Sequence, residues 1–236
     1  ANGPKNSAIS VLEAMERVNK NILVYESGPS LVNKSTYFQG ELDINYSDTS
    51  GTNKAIRLAS RSDVVVAVMG EHGLQSGEGR SRAKINLPGI QESFLKEIYK
   101  ANNKVILVLM NGRPLDLSWV DENIPAVVEA WQLGTMSGEA ISSVLFGDYN
   151  PSGKLPVSFP RSLGQVPIYY NHKSTGRPGP SDNVFWSHFN DEKNDPLYPF
   201  GYGLSYTNFK YANLKVEKLG DSSIKVNLMV ENTGNR

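Results

Sequence analysis

Three short, mostly apolar runs govern what this chain can fold into: Asp63-Val64-Val65-Val66-Ala67-Val68-Met69, Val105-Ile106-Leu107-Val108-Leu109-Met110 and Ala126-Val127-Val128-Glu129-Ala130-Trp131. None alternates polar with apolar residues, so each reads as a strand covered on both faces. Helical patterns lie between them. Ile90, Phe94, Leu95 and Ile98 share one face of a helix opened by Pro88 and Gly89. Ala140, Ile141, Val144 and Leu145 form another stripe, with Ser137 placed to cap it and Gly147 to close it. Buried strands alternating with amphipathic helices predict an α/β fold with a mostly parallel, doubly wound sheet.

The chain opens on a further helical stripe, Ala8, Val11, Leu12, Met15 and Val18, with Ser7 as its expected cap. Ile22-Leu23-Val24-Tyr25 is expected as a fourth strand of the same sheet, and Asn53 to Ser60 as a short helix. Ser27 to Thr52, rich in Ser, Asn, Gly and Thr, reads as a long surface excursion. From Asp148 to Gly203 the chain turns to Pro, Gly and Tyr, with enough aromatics to pack as an ordered connector. Phe209 to Leu219 and Ile224 to Glu231 alternate as strands, and read as the start of a β-sandwich that two strands cannot complete alone.

Several function classes fall away on composition and spacing. Lysine plus arginine and aspartate plus glutamate both number 24, a balance unlike the basic excess of nucleic-acid binders. No apolar run approaches the ~18 residues of a membrane span. With no cysteine there is neither a disulfide framework nor a thiolate metal site, and His72, His172 and His188 lack metal-ligand spacing. Neither a Gly-x-Gly-x-x-Gly turn nor a Gly-Lys-Ser/Thr phosphate loop is present, so no cofactor is expected. Gly-x-Ser-x-Gly is absent as well. Ala1-Asn2-Gly3-Pro4 reads as a trimmed start without a signal peptide, and Asn33 and Asn45 head Asn-x-Ser sequons that matter only in a eukaryotic secretory setting.

Ligands of open α/β sheets meet the loops at the carboxyl ends of strands. The loop after Met69, Gly70-Glu71-His72-Gly73-Leu74-Gln75-Ser76-Gly77-Glu78-Gly79-Arg80-Ser81-Arg82, carries four glycines, two carboxylates, two arginines and a histidine. Glu78, flanked by glycines, can approach a ligand closely. A solvated loop with a chance cluster of charges fits the same pattern, and both readings stand at this point.

Further motifs carry a resemblance. Asp63 to Glu71 followed by Glu78, Ser81-Arg82 and Leu87-Pro88 resembles glycoside hydrolase family 3. So do Val108-Leu109-Met110-Asn111-Gly112-Arg113-Pro114, Phe146-Gly147-Asp148-Tyr149-Asn150-Pro151, Tyr169-Tyr170-Asn171-His172 and Tyr198-Pro199-Phe200-Gly201-Tyr202-Gly203. The likeness runs in order from Ser60 to Arg236, toward the second half of a periplasmic β-glucosidase of that family.

The resemblance implies three parts: an N-terminal barrel bearing the nucleophile, an α/β sandwich domain and a fibronectin type III-like domain. Residues 1–160 are expected to be the α/β sandwich without its first strand, 161–206 an interdomain connector, and 207–236 the start of the third part. The barrel is expected to lie outside this chain, so the nucleophile does too. By the same resemblance the acid/base glutamate of a retaining, exo-acting β-glycosidase falls at Glu78, with Glu71 as the rival. His72, Arg80 and Arg82 are candidates for orienting the loop or the substrate. Expected partners are a β-linked oligosaccharide or glycoside and the barrel of the same protein, with neither nucleic acid nor membrane, in a periplasmic or secreted setting. Asn111 to Pro114 are expected only to set a turn and domain packing. Two other classes compete: a non-catalytic carbohydrate-binding or interdomain scaffold, and a signalling-type α/β module. The latter would need an acidic phospho-acceptor cluster that the strand ends lack.

Overall fold

The computed structural model describes residues 7–18, 23–34, 36–179 and 181–236. Its centre is β4 (Val105–Met110), the middle of a parallel three-stranded sheet between β3 (Val65–Gly70) and β5 (Ala126–Glu129). Val65 pairs with Val105 and Gly70 with Met110; Ile106 pairs with Ala126 and Leu109 with Glu129. Successive β4 side chains point to opposite faces, and both faces are covered. Val105, Leu107 and Leu109 enter a core with α2 (Thr52–Ala59), α3 (Gln91–Ala101) and α4 (Ser118–Asn123), while Val108 meets α1 (Val11–Val18) and α5 (Ser137–Phe146) on the other. Strands laid down in order with crossovers of one hand leave α3 and α4 on the same face. Two-sided burial is why the apolar runs do not alternate.

The expected strand at Ile22 to Tyr25 is not part of this sheet. Ile22 lies outside the described residues, and Leu23 to Tyr25 join no strand ladder. Leu23 packs against the α1/α5 side, but Val24 and Tyr25 are exposed. An apolar run becomes a strand only where a neighbour offers backbone partners, and none is in register here. The α1 cap also differs: Ser10, not Ser7, forms a reciprocal capping box with Glu13, its Oγ accepting from Glu13 N–H at 3.2 Å while Glu13 Oε2 accepts from Ser10 N–H at 2.8 Å. Ser137 is the first helical residue of α5 rather than its cap, whereas Gly147 does close that helix in the left-handed conformation.

The segment from 27 to 52 is anchored rather than adrift. β1 (Val32–Lys34) pairs antiparallel with β2 (Asp43–Ile44), and Asn45 behind them is buried. Asn45 Nδ2 donates to the carbonyls of Ser30 (2.8 Å) and Asp48 (2.7 Å), and its Oδ1 accepts from Ser47 and Asp48 N–H. A sequon asparagine so engaged is closed to glycosylation in the folded state.

After α5 the chain folds back on itself with little regular structure beyond a 3₁₀ turn over Leu163–Gln165. Phe159 N–H donates to the Tyr198 carbonyl (2.8 Å), and Phe159 is buried between Trp131 and Tyr198. Tyr198 donates to Asp121 Oδ1 at 2.7 Å, and burial with that carboxylate alongside pushes its phenol pKa up. The expected aromatic packing holds for these residues, whereas Tyr169, Tyr170 and Phe185 are exposed. β6 (Phe209–Lys218) and β7 (Ile224–Asn232) then form an antiparallel pair exposed on both faces, tied back by Arg236, which donates to the Gly147 carbonyl at 2.7 Å.

Asn45→Ala is expected to lower unfolding stability by ~1–3 kcal/mol, because four backbone groups lose their partner in a closed site. Urea midpoints of the two proteins check this; equal midpoints would mean that Asn45 does not anchor the segment.

Candidate functional site

Three strand ends bring three polar side chains to one edge of the sheet. β3 runs into Glu71, whose N–H donates to the Met110 carbonyl at 2.8 Å; β4 runs into Asn111; and β5 ends on Glu129. At the outer edge of β3, Gln91 takes the place of a neighbouring strand: its Oε1 accepts from Gly70 N–H (2.9 Å) and its Nε2 donates to the Gly70 carbonyl (2.8 Å).

Glu71 has a fully buried side chain, and every side of its carboxylate is engaged. Arg82 Nη1 lies 2.7 Å and Arg113 Nε 3.0 Å from Oε1. Oε2 accepts from Gly112 N–H (3.1 Å) and Ser76 Oγ (3.2 Å). A buried carboxylate is tolerable only with such pairing, and removing one partner typically costs ~3–5 kcal/mol. Arg82 also donates to the Asn86 carbonyl at 2.9 Å.

Glu78 sits in the opposite environment. It is exposed, on a turn between Gly77 (φ 125°) and Gly79 (φ 69°), both in conformations that disfavour side chains, with open space beside each. The stem below it is held. His72 Nδ1 accepts from Leu74 N–H (3.1 Å) and Gln75 reaches back to His72 N–H (2.9 Å), closing a single 3₁₀ turn over Gly73–Gln75. Arg80 donates to the carbonyls of Phe38 (2.7 Å) and Gly40 (3.3 Å), tying the loop to the β1–β2 hairpin. Thus the structure brings Glu71, Arg82 and Arg113 together, leaves Glu78 apart from them, and gives His72 and Arg80 backbone contacts within the loop and its neighbour.

Residues 1–206 match the family described as Glycosyl hydrolase family 3 C-terminal domain. This chain belongs to glycoside hydrolase family 3. Its family 3 domain is 46% identical over 189 residues to the periplasmic beta-glucosidase of Salmonella typhimurium, covering 78% of this chain and 25% of that protein. It is 41% identical over 207 residues to a beta-xylosidase of Formosa agariphila, covering 85% and 27%. Among solved structures, the beta-glucosidase of Listeria innocua in complex with isofagomine superposes with a TM-score of 0.81 at 34% identity, over 98% of this chain and 31% of that one. The chain therefore spans about a quarter of the length of these two relatives. Among its described residues no helix is long and apolar enough to cross a membrane.

Two residues of the family 3 domain's edge escaped the sequence reading. Arg113, expected only to help set a turn, is the second cation on Glu71. Glu129 ends the apolar strand β5, and a carboxylate closing such a run is itself a signal. It accepts from Trp131 N–H (3.0 Å) and Asn111 Nδ2 (3.3 Å), and Trp131 adopts φ 52° to make that contact. Burial pushes the Glu129 carboxyl up to about 7, against those two hydrogen bonds and with a smaller push from Glu71.

A folded-state pKa above the unfolded one means that the native protein holds the proton more tightly. Glu129 therefore makes stability fall as pH rises from about 4.5 to about 7, by up to ~1.4 kcal/mol per pH unit. Glu129→Gln should flatten this slope, which urea unfolding at pH 5, 6, 7 and 8 measures; an unchanged slope would place the titration elsewhere.

Proposed function

We propose that this chain is the substrate-closing part of a retaining, exo-acting β-glycosidase, acting on β-linked glucosides in the periplasm, and that Glu78 is its acid/base. One observation carries the assignment within the loop. Glu78 is the exposed loop carboxylate, presented between two glycines, while Glu71 is buried among its ion-pair partners. Support for the reaction class comes from family membership and from relatives named beta-glucosidase and beta-xylosidase. The Salmonella relative's periplasmic name supports the compartment. In this reading residues 1–160 form the α/β sandwich, 161–206 the connector and 207–236 the start of the third domain.

The chemistry follows from two carboxyl groups ~5–5.5 Å apart across the glycosidic bond. A carboxylate on the barrel, outside these residues, attacks the anomeric carbon. As the bond to the leaving oxygen breaks, Glu78 gives that oxygen its proton. The resulting carboxylate then takes a proton from water, which attacks the covalent intermediate from the same face and restores the β configuration. His72, Arg80 and Arg82 fix the stem from which Glu78 reaches, and make no bond to the reacting atoms.

In the intact enzyme carrying this chain, Glu78→Ala is expected to lose ~10²–10⁴-fold in rate on substrates with poor leaving groups. Dinitrophenyl glycosides, which depart with little protonation, retain far more. Azide should accelerate Glu78→Ala and give a β-glycosyl azide. Glu71→Ala should show neither signature. Azide rescue at Glu71 instead would reverse the assignment, and rescue at neither would favour the scaffold role. The 236 residues by themselves are expected to release no nitrophenol from aryl β-glucosides above a buffer control, and reproducible turnover would refute the need for a second part.

A further inference from the structure

Arg113 is not exhausted by its ion pair with Glu71. Its Nε faces the carboxylate, while its Nη2 reaches the loop, where it donates to the carbonyls of Gln75 and of Arg80 (3.0 Å). Those two carbonyls bracket Ser76-Gly77-Glu78-Gly79. A single planar guanidinium thus closes the neck of the turn that presents Glu78, and Ser76 Oγ, 3.4 Å from the same Nη2, joins the closure to Glu71 Oε2.

Among the described residues one backbone bond also crosses the turn, Arg80 N–H to the Gly77 carbonyl at 3.2 Å, and both glycines beside Glu78 have open space around them. Two glycines give the tip wide backbone freedom, so the position of the Glu78 carboxyl depends on how firmly the neck is held. Arg113 itself is set from below. Asn111 Nδ2 donates to the Arg113 carbonyl at 2.8 Å, Pro114 restricts its backbone, and Arg113 lies three residues past the end of β4, the most buried strand of the sheet.

We propose that Arg113 is a positioning residue for Glu78: by joining the Gln75 and Arg80 carbonyls to the buried Glu71 carboxylate, it sets the reach of the acid/base turn. This rests on the assignment of Glu78 made above. Lysine cannot replace it, because an ammonium is a point donor and cannot serve Glu71 and two diverging carbonyls through one rigid plane.

The test compares Arg113→Lys and Arg113→Ala with Glu78→Ala in the intact enzyme carrying this chain, on a dinitrophenyl and an alkyl glycoside. Hydrogen exchange across residues 75–82 is followed in parallel. Misplacing a reacting group by about 1 Å can cost ~10²-fold. Arg113→Lys should therefore lower kcat on the alkyl glycoside about 10- to 100-fold, with a much smaller loss on the dinitrophenyl glycoside and little change in KM. Loop amides at 75–82 should exchange faster in both variants, and added guanidinium should restore part of the alkyl-glycoside rate of Arg113→Ala. Equal losses on both substrates, or unchanged exchange in the loop, would overturn the positioning role while leaving Glu78 as the acid/base. If Glu78→Ala itself lacks the leaving-group signature, the acid/base assignment fails, and the role of Arg113 falls with it.

Discussion

A carboxylate without water must be surrounded by cations and hydrogen-bond donors, and the edge of this domain is organised around meeting that demand for Glu71. Its partners come from three places in the chain: Ser76 from the middle of its own loop, Arg82 from the end of that loop, and Gly112 and Arg113 from the turn after β4. Satisfying one buried charge therefore closes the loop onto the sheet. A half-satisfied arrangement would be worse than none, since each missing partner leaves a charge in a poorly polarisable surround. The same closure leaves Glu78 outside the network, on the one part of the loop whose backbone two glycines keep free.

The sheet supplies the rigidity this requires. β4 is flanked by parallel neighbours and covered on both faces, so the residues that follow it leave from a fixed point. Three adjacent parallel strands bring Glu71, Asn111 and Glu129 to one edge of the sheet. Asn111 Oδ1 is buried there without a hydrogen-bond partner among the described residues, beside a Glu129 carboxyl pushed up to about 7 by burial. With its carboxyl raised to about 7, Glu129 gives this edge a charge that changes near neutrality.

Away from that edge, the chain shows how little regular structure is needed to hold a segment in place. The long stretch after α5 is pinned at both ends by backbone bonds between Leu155, Phe159, Tyr198 and Tyr202 and by the buried Phe159 ring. Asn45 does the same for the β1–β2 region with one side chain. Both are backbone-satisfying devices, which composition alone presents as loops.

Much of the fold was legible in order along the chain. β3, β4, β5, α3 and α5 follow from apolar runs and stripes, because burial on both faces leaves its mark on every residue of a strand, whereas the short α4 carried no stripe that could be read. The Ser10-to-Glu13 capping box was also written there, in a Ser-x-x-Glu that the stripe beginning at Ala8 obscured. The run at Ile22 to Tyr25 misled because apolarity reports the wish for burial but not the presence of a ladder partner. The loop at Gly70 to Arg82 could be singled out from its glycines and charges, and the family resemblance set Glu78 ahead of Glu71. The tertiary structure supplied the difference in their surroundings, by placing Arg113, thirty-one residues beyond Arg82, against Glu71 and leaving Glu78 in solvent. Local patterning records what each residue needs from its surroundings; which distant residue meets that need is decided when parallel strands bring their ends together.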